Sequence, residues 1–211
     1  MKFVIISNQE WENIYVLTKS QNLLQSSDYL EALQQAQGVQ FELYSIQHNG
    51  NVIGIFSIVK DHALKGLINT FILDRGPLWI NGRGTQEDVE LFFNRFNQFF
   101  PTGILSRRRI IPELKYNQEN KEILDKSGLK LKMLKSYSSI VVDLDKNIDE
   151  LRAALRGNWR NQLLKAEKYS IDCQWYLHGE YLGWLLSKYL KDKTEKAYRG
   201  PSSNFMRLLS N

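Results

Sequence analysis

The chain has 211 residues, 43% of them hydrophobic and 12% aromatic, with a formal charge of +5 and a pI near 9.2. That composition belongs to a globular protein long enough to bury a real core, and it excludes a disordered or low-complexity chain. The charge is uneven: residues 1–100 hold 7 Lys and Arg against 10 Asp and Glu, and residues 101–211 hold 21 against 13. A basic second half favours anionic partners such as nucleotides, RNA or acidic lipid head groups, and suits plain solubility equally well.

The first residues, Met1 to Ser7, carry an apolar run too short for a signal peptide and read as a first strand. Nowhere does an apolar run approach the roughly 18 residues of a membrane-spanning helix, so the expected location is cytoplasmic. Cys173 is the only cysteine, which rules out an intrachain disulfide and a Cys-based zinc site. His48, His62 and His178 share no spacing with each other or with carboxylates that would suggest a metal site or a triad.

Ser26-Ser27-Asp28 caps a helix from Tyr29 that Gly38 stops. Val39–Gln47 and Asn51–Lys60 are β-rich runs joined at Asn49-Gly50, a strong hairpin signal because both residues tolerate positive φ. Gly66 to Leu73 continues as a third antiparallel strand, followed by Arg75-Gly76-Pro77-Leu78-Trp79. Gly76 is expected to supply an unusual φ in that turn, with Pro77 fixing its own. Thr85 to Asp88 caps a Phe-rich amphipathic helix that reaches about Phe100.

Pro101-Thr102-Gly103 ends that helix, Ile104 to Ser106 resumes a strand, and Arg107-Arg108-Arg109 follows at its end. Such a run attracts nucleic-acid phosphates or simply lies in a surface loop. A helix over Gln118–Lys126 stops at Ser127-Gly128; Lys130 to Leu144 and Ile171 to Leu177 read as strands. Glu180 to Lys191 reads as a helix, and Pro201 to Leu209 as the start of another. The order gives an α/β (α+β) fold with a mixed, largely antiparallel sheet flanked by helices. Residues 1–144 make one complete layer, and residues 145–211 begin a second, unfinished unit.

The stretch richest in information is Leu155 to Lys168, where a helix start leads into a basic helix carrying Trp159. Arg152, Arg156 and Arg160 recur every fourth residue and so share one face of any helix that contains them. Guanidiniums on one ridge repel, a cost offset by carboxylates or by a bound anion such as phosphate. The plainer reading is a solvated helix face with Trp159 plugged into the core.

Five places together resemble the Fem family of acyltransferases, the peptidoglycan-bridge aminoacyltransferases and their GNAT-like relatives. They are Leu24 to Tyr29, Asn51 to Gly54, Arg75 to Trp79, Ile140 to Leu144, and Trp159-Arg160-Asn161 to Ala166-Glu167-Lys168. The resemblance covers essentially the whole chain and implies a GNAT-like domain followed by the start of a second. It implies transfer of an aminoacyl or acyl group to an amine without a covalent enzyme intermediate. Aminoacyl-tRNA or acyl-CoA is the implied donor co-substrate, with no bound cofactor and no metal. A nucleotide- or lipid-linked muramyl peptide, or another amine, is the implied acceptor, with tRNA and the inner membrane surface as further partners.

The family's basic residue ahead of the Ala-Glu-Lys run falls on Arg160, and its implied role is to grip acceptor diphosphate. Arg156, Lys165 and Asn161 neighbour it, and Arg75 either points into an acceptor cleft or anchors its turn. Leu33 and Gln34 stand where relatives often carry a basic residue after the first-helix aromatic. The Gly-rich loop that cradles coenzyme A phosphates in GNAT enzymes is absent; Asn81 to Gly84 and Arg156 to Asn158 lack its spacing. Two other readings stand beside transfer: a non-catalytic module that binds an anionic glycan precursor, and an RNA-binding protein.

Overall fold

The computed structural model describes residues 1–63, 67–131, 142–169, 171, 174–176 and 179–210. The chain divides into two compact units, residues 1–134 with 188–211, and residues 135–187.

In the first unit, Lys2–Ile5 (β1), Gln40–His48 (β2), Asn51–Ala63 (β3), Ile68–Asp74 (β4), Leu78–Trp79 (β5) and Ser106–Ile111 (β6) form one sheet. Its order is β1-β2-β3-β4-β6, with the short β5 paired to β3. All pairings are antiparallel except β4 with β6, which run parallel. The β2–β3 hairpin turns at Asn49 and Gly50, whose φ values of 50° and 80° are what the sequence pair predicts. Gly54 has a different role: a Cβ there would stand 2.5 Å from the Leu78 carbonyl oxygen, so glycine lets β5 pair this closely with β3.

Helices cover both sheet faces, and the period-two pattern of the strands decides which residues meet them. Gln86–Phe99 (α3) and Gln118–Lys126 (α4) occupy one face. Phe92, Phe93 and Phe96 of α3, with Phe100 just beyond it, pack on Phe3, Tyr44, Phe56 and Leu73. Phe56 lies at the centre of this cluster, its ring 4.7 Å from Phe3, 4.9 Å from Tyr44 and 5.2 Å from Phe92. Each aromatic buried this way stabilises the fold by about 1.5–3 kcal/mol. The start of α3 is fixed by Thr85 and Asp88, which cap each other's backbone N–H as the sequence predicts.

Asn8–Tyr15 (α1) and Ser27–Gln37 (α2) occupy the opposite face, where Trp11 and Leu30 pack on Leu43, Ile55 and Leu78. The sequence reading did not anticipate α1. Its signals are a Ser7–Glu10 capping box and an apolar face of Trp11, Ile14 and Tyr15, but over only eight residues that face amounts to a single i, i+3, i+4 set. Between α1 and α2, residues Leu23–Gln25 form one 3-10 turn.

Several sequence expectations are altered by the structure. The Arg107 to Arg109 run is neither a strand end nor a loop; it lies inside β6 and alternates between faces. The unusual φ in the turn after β4 belongs to Arg75, at +59°, and not to Gly76. The third and fourth corrections concern the basic stretch of the second unit, where Ile148–Ala154 (α5) and Gly157–Glu167 (α6) are separate helices. Leu155 and Arg156, with ψ of 142° and 148°, break the path, so Arg152, Arg156 and Arg160 form no common helical ridge. Trp159 is 61% exposed and does not plug a core.

Of the strand expected over Lys130 to Leu144, residues 132–141 lie outside the described residues, and 142–144 form no strand. Of Ile171 to Leu177, residues 172, 173 and 177 lie outside them, so Cys173 is not described; the remainder forms no strand. The next helix runs over Leu182–Lys196 (α7) and the last over Ser203–Leu209 (α8). In the first unit α8 packs along α2 through the buried Phe205, whose ring stands 5.2 Å from that of Tyr29. Among the described residues no helix is long and apolar enough to cross a membrane.

Candidate functional site

The helix-covered part of the α1–α2 face ends at β4 and β6, and there the strands carry polar side chains. Register places Val59, Ile72 and Arg109 side by side across β3, β4 and β6, with Asp61 two residues along β3 and Asp74 two along β4. Those alternate positions share one face. With α2 as a wall they enclose a cavity of about 270 Å³, lined also by Gln25, Tyr29, Leu33, Gln37 and Ser57.

Gln25 is the anchor of this cavity. It is 1% exposed; its amide Nε2 donates to the Asp74 carbonyl at 2.5 Å, and its Oε1 accepts from the Ser57 amide at 2.8 Å. One side chain thereby satisfies backbone groups on two different strands, of which the buried Ser57 amide would cost about 1–3 kcal/mol unpaired. Gly76 completes the seat, because a Cβ there would lie 2.7 Å from Leu73 Cδ1 and 3.3 Å from Gln25 Oε1. The glycine serves close approach and not its own dihedral freedom.

The charged wall is built from Arg109 and Asp74, whose Nη2 and Oδ2 are 2.7 Å apart. The other carboxylate oxygen, Asp74 Oδ1, is buried and has no hydrogen-bond partner among the described residues. Tyr29 lies within their field: burial first, and then the Asp74 charge, push its phenol above the ordinary tyrosine value, against a smaller opposing effect of Arg109. The hydroxyl therefore stays protonated at neutral pH and remains a donor.

Arg75 lies next in the chain. Its backbone N–H donates to the Ile111 carbonyl at 2.7 Å, and its guanidinium stands 3.6 Å from the Glu113 carboxylate. Asn22 also donates to Glu113, at 3.3 Å. These contacts tie the turn to the end of β6 and hold Arg75 in a left-handed conformation that is uncommon for a residue with a side chain.

The remaining sequence candidates sit on α6 in the second unit. Arg156 is the N-cap residue and gives no side-chain cap; Arg160 reaches back so that its Nη2 donates to the Leu155 carbonyl at 3.2 Å. Arg160 therefore sits at the N-terminal end of α6, where the helix dipole favours an anion, although the Trp159 N–H of that turn is already taken by Asn158 Oδ1 at 2.9 Å. Asn161 and Lys165 are exposed further along the helix. Arg152 is engaged elsewhere, in an ion pair with Glu167.

The arginine run of β6 offers no continuous phosphate-binding face. Arg108 is half-buried and bonded to Asn97 of α3, burial holding its pKa below the usual arginine value, while Arg109 pairs with Asp74. Among the described residues no group of three or more His, Cys, Asp or Glu side chains could hold a metal ion.

Comparison with known proteins places this architecture. No protein-family model matches the chain, and no curated protein matches it. The crystal structure of FemX superposes over 99% of the chain, with a TM-score of 0.71 at 16% identity. The chain has a Fem-type, GNAT-like fold. It covers 54% of FemX, so it spans about half the length of that protein. A probable acetyltransferase matches 68% of the chain and is itself 99% covered, at 13% identity and TM-score 0.44. A possible acetyltransferase from Clostridium difficile 630 matches 67% of the chain and is 98% covered, at 8% identity and TM-score 0.41. At scores that low, neither bears on the function of this chain.

Sequence reasoning did not single out Asp61, Asp74 and Arg109 as members of one site. The alternation Ser57, Val59, Asp61 marks one face of β3, but nothing local says that β6 returns parallel to β4 and brings Arg109 beside Asp74.

Proposed function

We propose that this chain serves transfer of an aminoacyl or acyl group to an amine, with no covalent enzyme intermediate. The observation that carries the proposal is the superposition on FemX over 99% of the chain at a TM-score of 0.71. In this reading the donor is an aminoacyl-tRNA or an acyl-CoA, and the acceptor is a nucleotide- or lipid-linked muramyl peptide or a related amine. The acceptor amine attacks the activated carbonyl of the donor directly. The new C–N bond replaces the C–O bond to the tRNA ribose or the C–S bond to coenzyme A, and the proton lost by the amine balances the one taken up by the leaving hydroxyl or thiol. Rate enhancement then rests on holding the two reactants in line and on fixed donors facing the developing oxyanion.

Arg160 is the proposed grip on acceptor phosphate, with Arg156 beside it and Lys165 and Asn161 supporting. The support is local: the Arg160 guanidinium lies at the N-terminal end of α6, where the helix dipole favours an anion. Arg75 contributes by fixing its turn.

The test is equilibrium binding of a nucleotide-linked muramyl pentapeptide to the full chain, followed by turnover with aminoacyl-tRNA. Arg160→Ala is expected to weaken binding by at least about tenfold, the loss of one charge-assisted phosphate contact. Binding without turnover would reduce the chain to a recognition module. RNA binding with a steep salt dependence, and no muramyl-peptide binding, would overturn the proposal.

A further inference from the structure

We infer that the Asn49–Gly50 turn between β2 and β3 is a site of spontaneous covalent modification, where Asn49 loses its side-chain amide to water through a cyclic imide and becomes aspartate or isoaspartate. The turn alone carries this, whether or not the chain catalyses transfer.

This asparagine is singled out by its exposure and by what surrounds it. Both turn residues are exposed, and Gly50 has no side chain to screen its own amide nitrogen from the Asn49 side chain. That nitrogen is uncommitted as well: among the described residues the Gly50 N–H donates to no carbonyl. The Asn49 side-chain amide makes no hydrogen bond among them either, and only its backbone carbonyl is engaged, accepting from Asn51 Nδ2 at 3.4 Å. Other asparagines are held differently. The side chains of Asn22, Asn97 and Asn147 bond the Glu113 carboxylate, the Ser127 carbonyl and the Glu150 amide, and a residue with a side chain follows each. Asn81–Gly82, in the loop between β5 and α3, is the other Asn-Gly pair of the chain, so each site has to be read from its own peptide.

The chemistry needs water and no other reactant. The Gly50 nitrogen, its proton passed to solvent, bonds to Asn49 Cγ while the Cγ–Nδ2 bond breaks and the amide leaves as ammonia, taking up a proton. Water then opens the cyclic imide on either side. Breaking the bond from Cγ to the Gly50 nitrogen leaves aspartate on the original backbone. Breaking the bond from the Asn49 carbonyl carbon leaves isoaspartate, with the backbone routed through Cγ and a carbon longer. The fold treats these products oppositely. Aspartate tolerates the φ of 50° at position 49, and Asp-Gly suits the same two-residue turn. Isoaspartate adds a backbone atom to a loop whose length sets the pairing of His48 with Asn51 and of Gln47 with Val52. Isoaspartate therefore loosens the tip of the hairpin, and aspartate does not.

The test is incubation of the full chain in mildly alkaline buffer, which favours loss of the Gly50 amide proton. Peptide mapping by mass spectrometry then separates aspartyl from isoaspartyl forms, with the same chain unfolded in urea as the reference. Asn49 is expected to convert in the folded chain more slowly than in urea, because the flanking strands restrict the turn. The rates should lie within about tenfold of each other, since loop tips open at little cost. In the isoaspartyl fraction the Asn51 and Val52 amides should exchange faster with solvent than in the parent chain. Asn49→Asp, which reproduces the other product, should leave their exchange unchanged. Asn49→Gln should abolish conversion at this position, because glutamine would have to close a larger ring. An Asn49 that keeps its amide in the folded chain, over an incubation about tenfold longer than the unfolded chain requires, would overturn the inference. So would equally fast conversion at Asn22, Asn97 or Asn147, or an isoaspartyl hairpin whose tip exchanges like the parent.

Discussion

The two units are built from helices of comparable quality but are held together by different forces. In the first, α3 and the sheet interlock through a cluster of aromatic rings centred on Phe56, and buried polar groups such as Gln25 and Asp88 are bonded. In the second, Leu186 is the only buried residue among those described, while Trp159, Tyr169, Trp175 and Trp184 are each more than 60% exposed. What orders α5 and α6 is local. Asn147 caps the α5 backbone, and Arg152 pairs with Glu167 across the break between the helices. The contrast teaches that helix caps and exposed ion pairs are enough to shape a short helix, yet contribute far less than a packed core.

That contrast can be broken most sharply at the two aromatic extremes. Phe56→Ala should lower the urea-unfolding stability of the first unit by about 3–5 kcal/mol, whereas Trp159→Ala should change stability by no more than about 0.5 kcal/mol. A large effect of Trp159→Ala would show that this ring is covered in solution. Next in size is Gln25→Ala, expected to cost about 1–3 kcal/mol and to expose the Ser57 amide to hydrogen exchange. Asn147→Ala should cost about 1 kcal/mol locally, seen as faster exchange along α5 with little change in global melting. Smallest is Arg152→Ala, at most about 1 kcal/mol and vanishing as salt is raised.

Acid offers a further probe confined to the first unit. Burial works to raise the Glu42 pKa, but hydrogen bonds from Lys60 and Tyr44 and the Lys60 charge outweigh it, and the net value falls below the usual glutamate. A folded pKa below the unfolded one means stability that is present above the ordinary glutamate range and is lost as pH falls through the folded value. Thermal melts at pH values below the ordinary glutamate range should therefore show a decline that Glu42→Gln reduces.

Much of the fold was legible because its signals are local. Asn49-Gly50 placed the hairpin, Thr85 with Asp88 placed the start of α3, and Ser26 placed α2. The helix at Gln118–Lys126 matched residue for residue. The reading failed where a short polar segment hid its helix, as in α1, and where spacing stood in for path, as in the arginines at every fourth residue. Periodicity assigns residues to one face only if the helix is unbroken, and backbone dihedrals at Leu155 and Arg156 decide that.

For the candidate site the division is the same. The sequence by itself determined the element types, the turns, the surplus of positive charge in the second half and the residue chemistry around Arg160. It also marked Gln25, Tyr29 and Arg75 as belonging to informative stretches. Only the tertiary structure decided that Gln25 bridges β3 and β4, that Arg109 neutralises Asp74, and that Arg108 is turned away into contact with α3. Those outcomes depend on β6 lying parallel to β4, a pairing of residues more than thirty positions apart whose register no local propensity encodes.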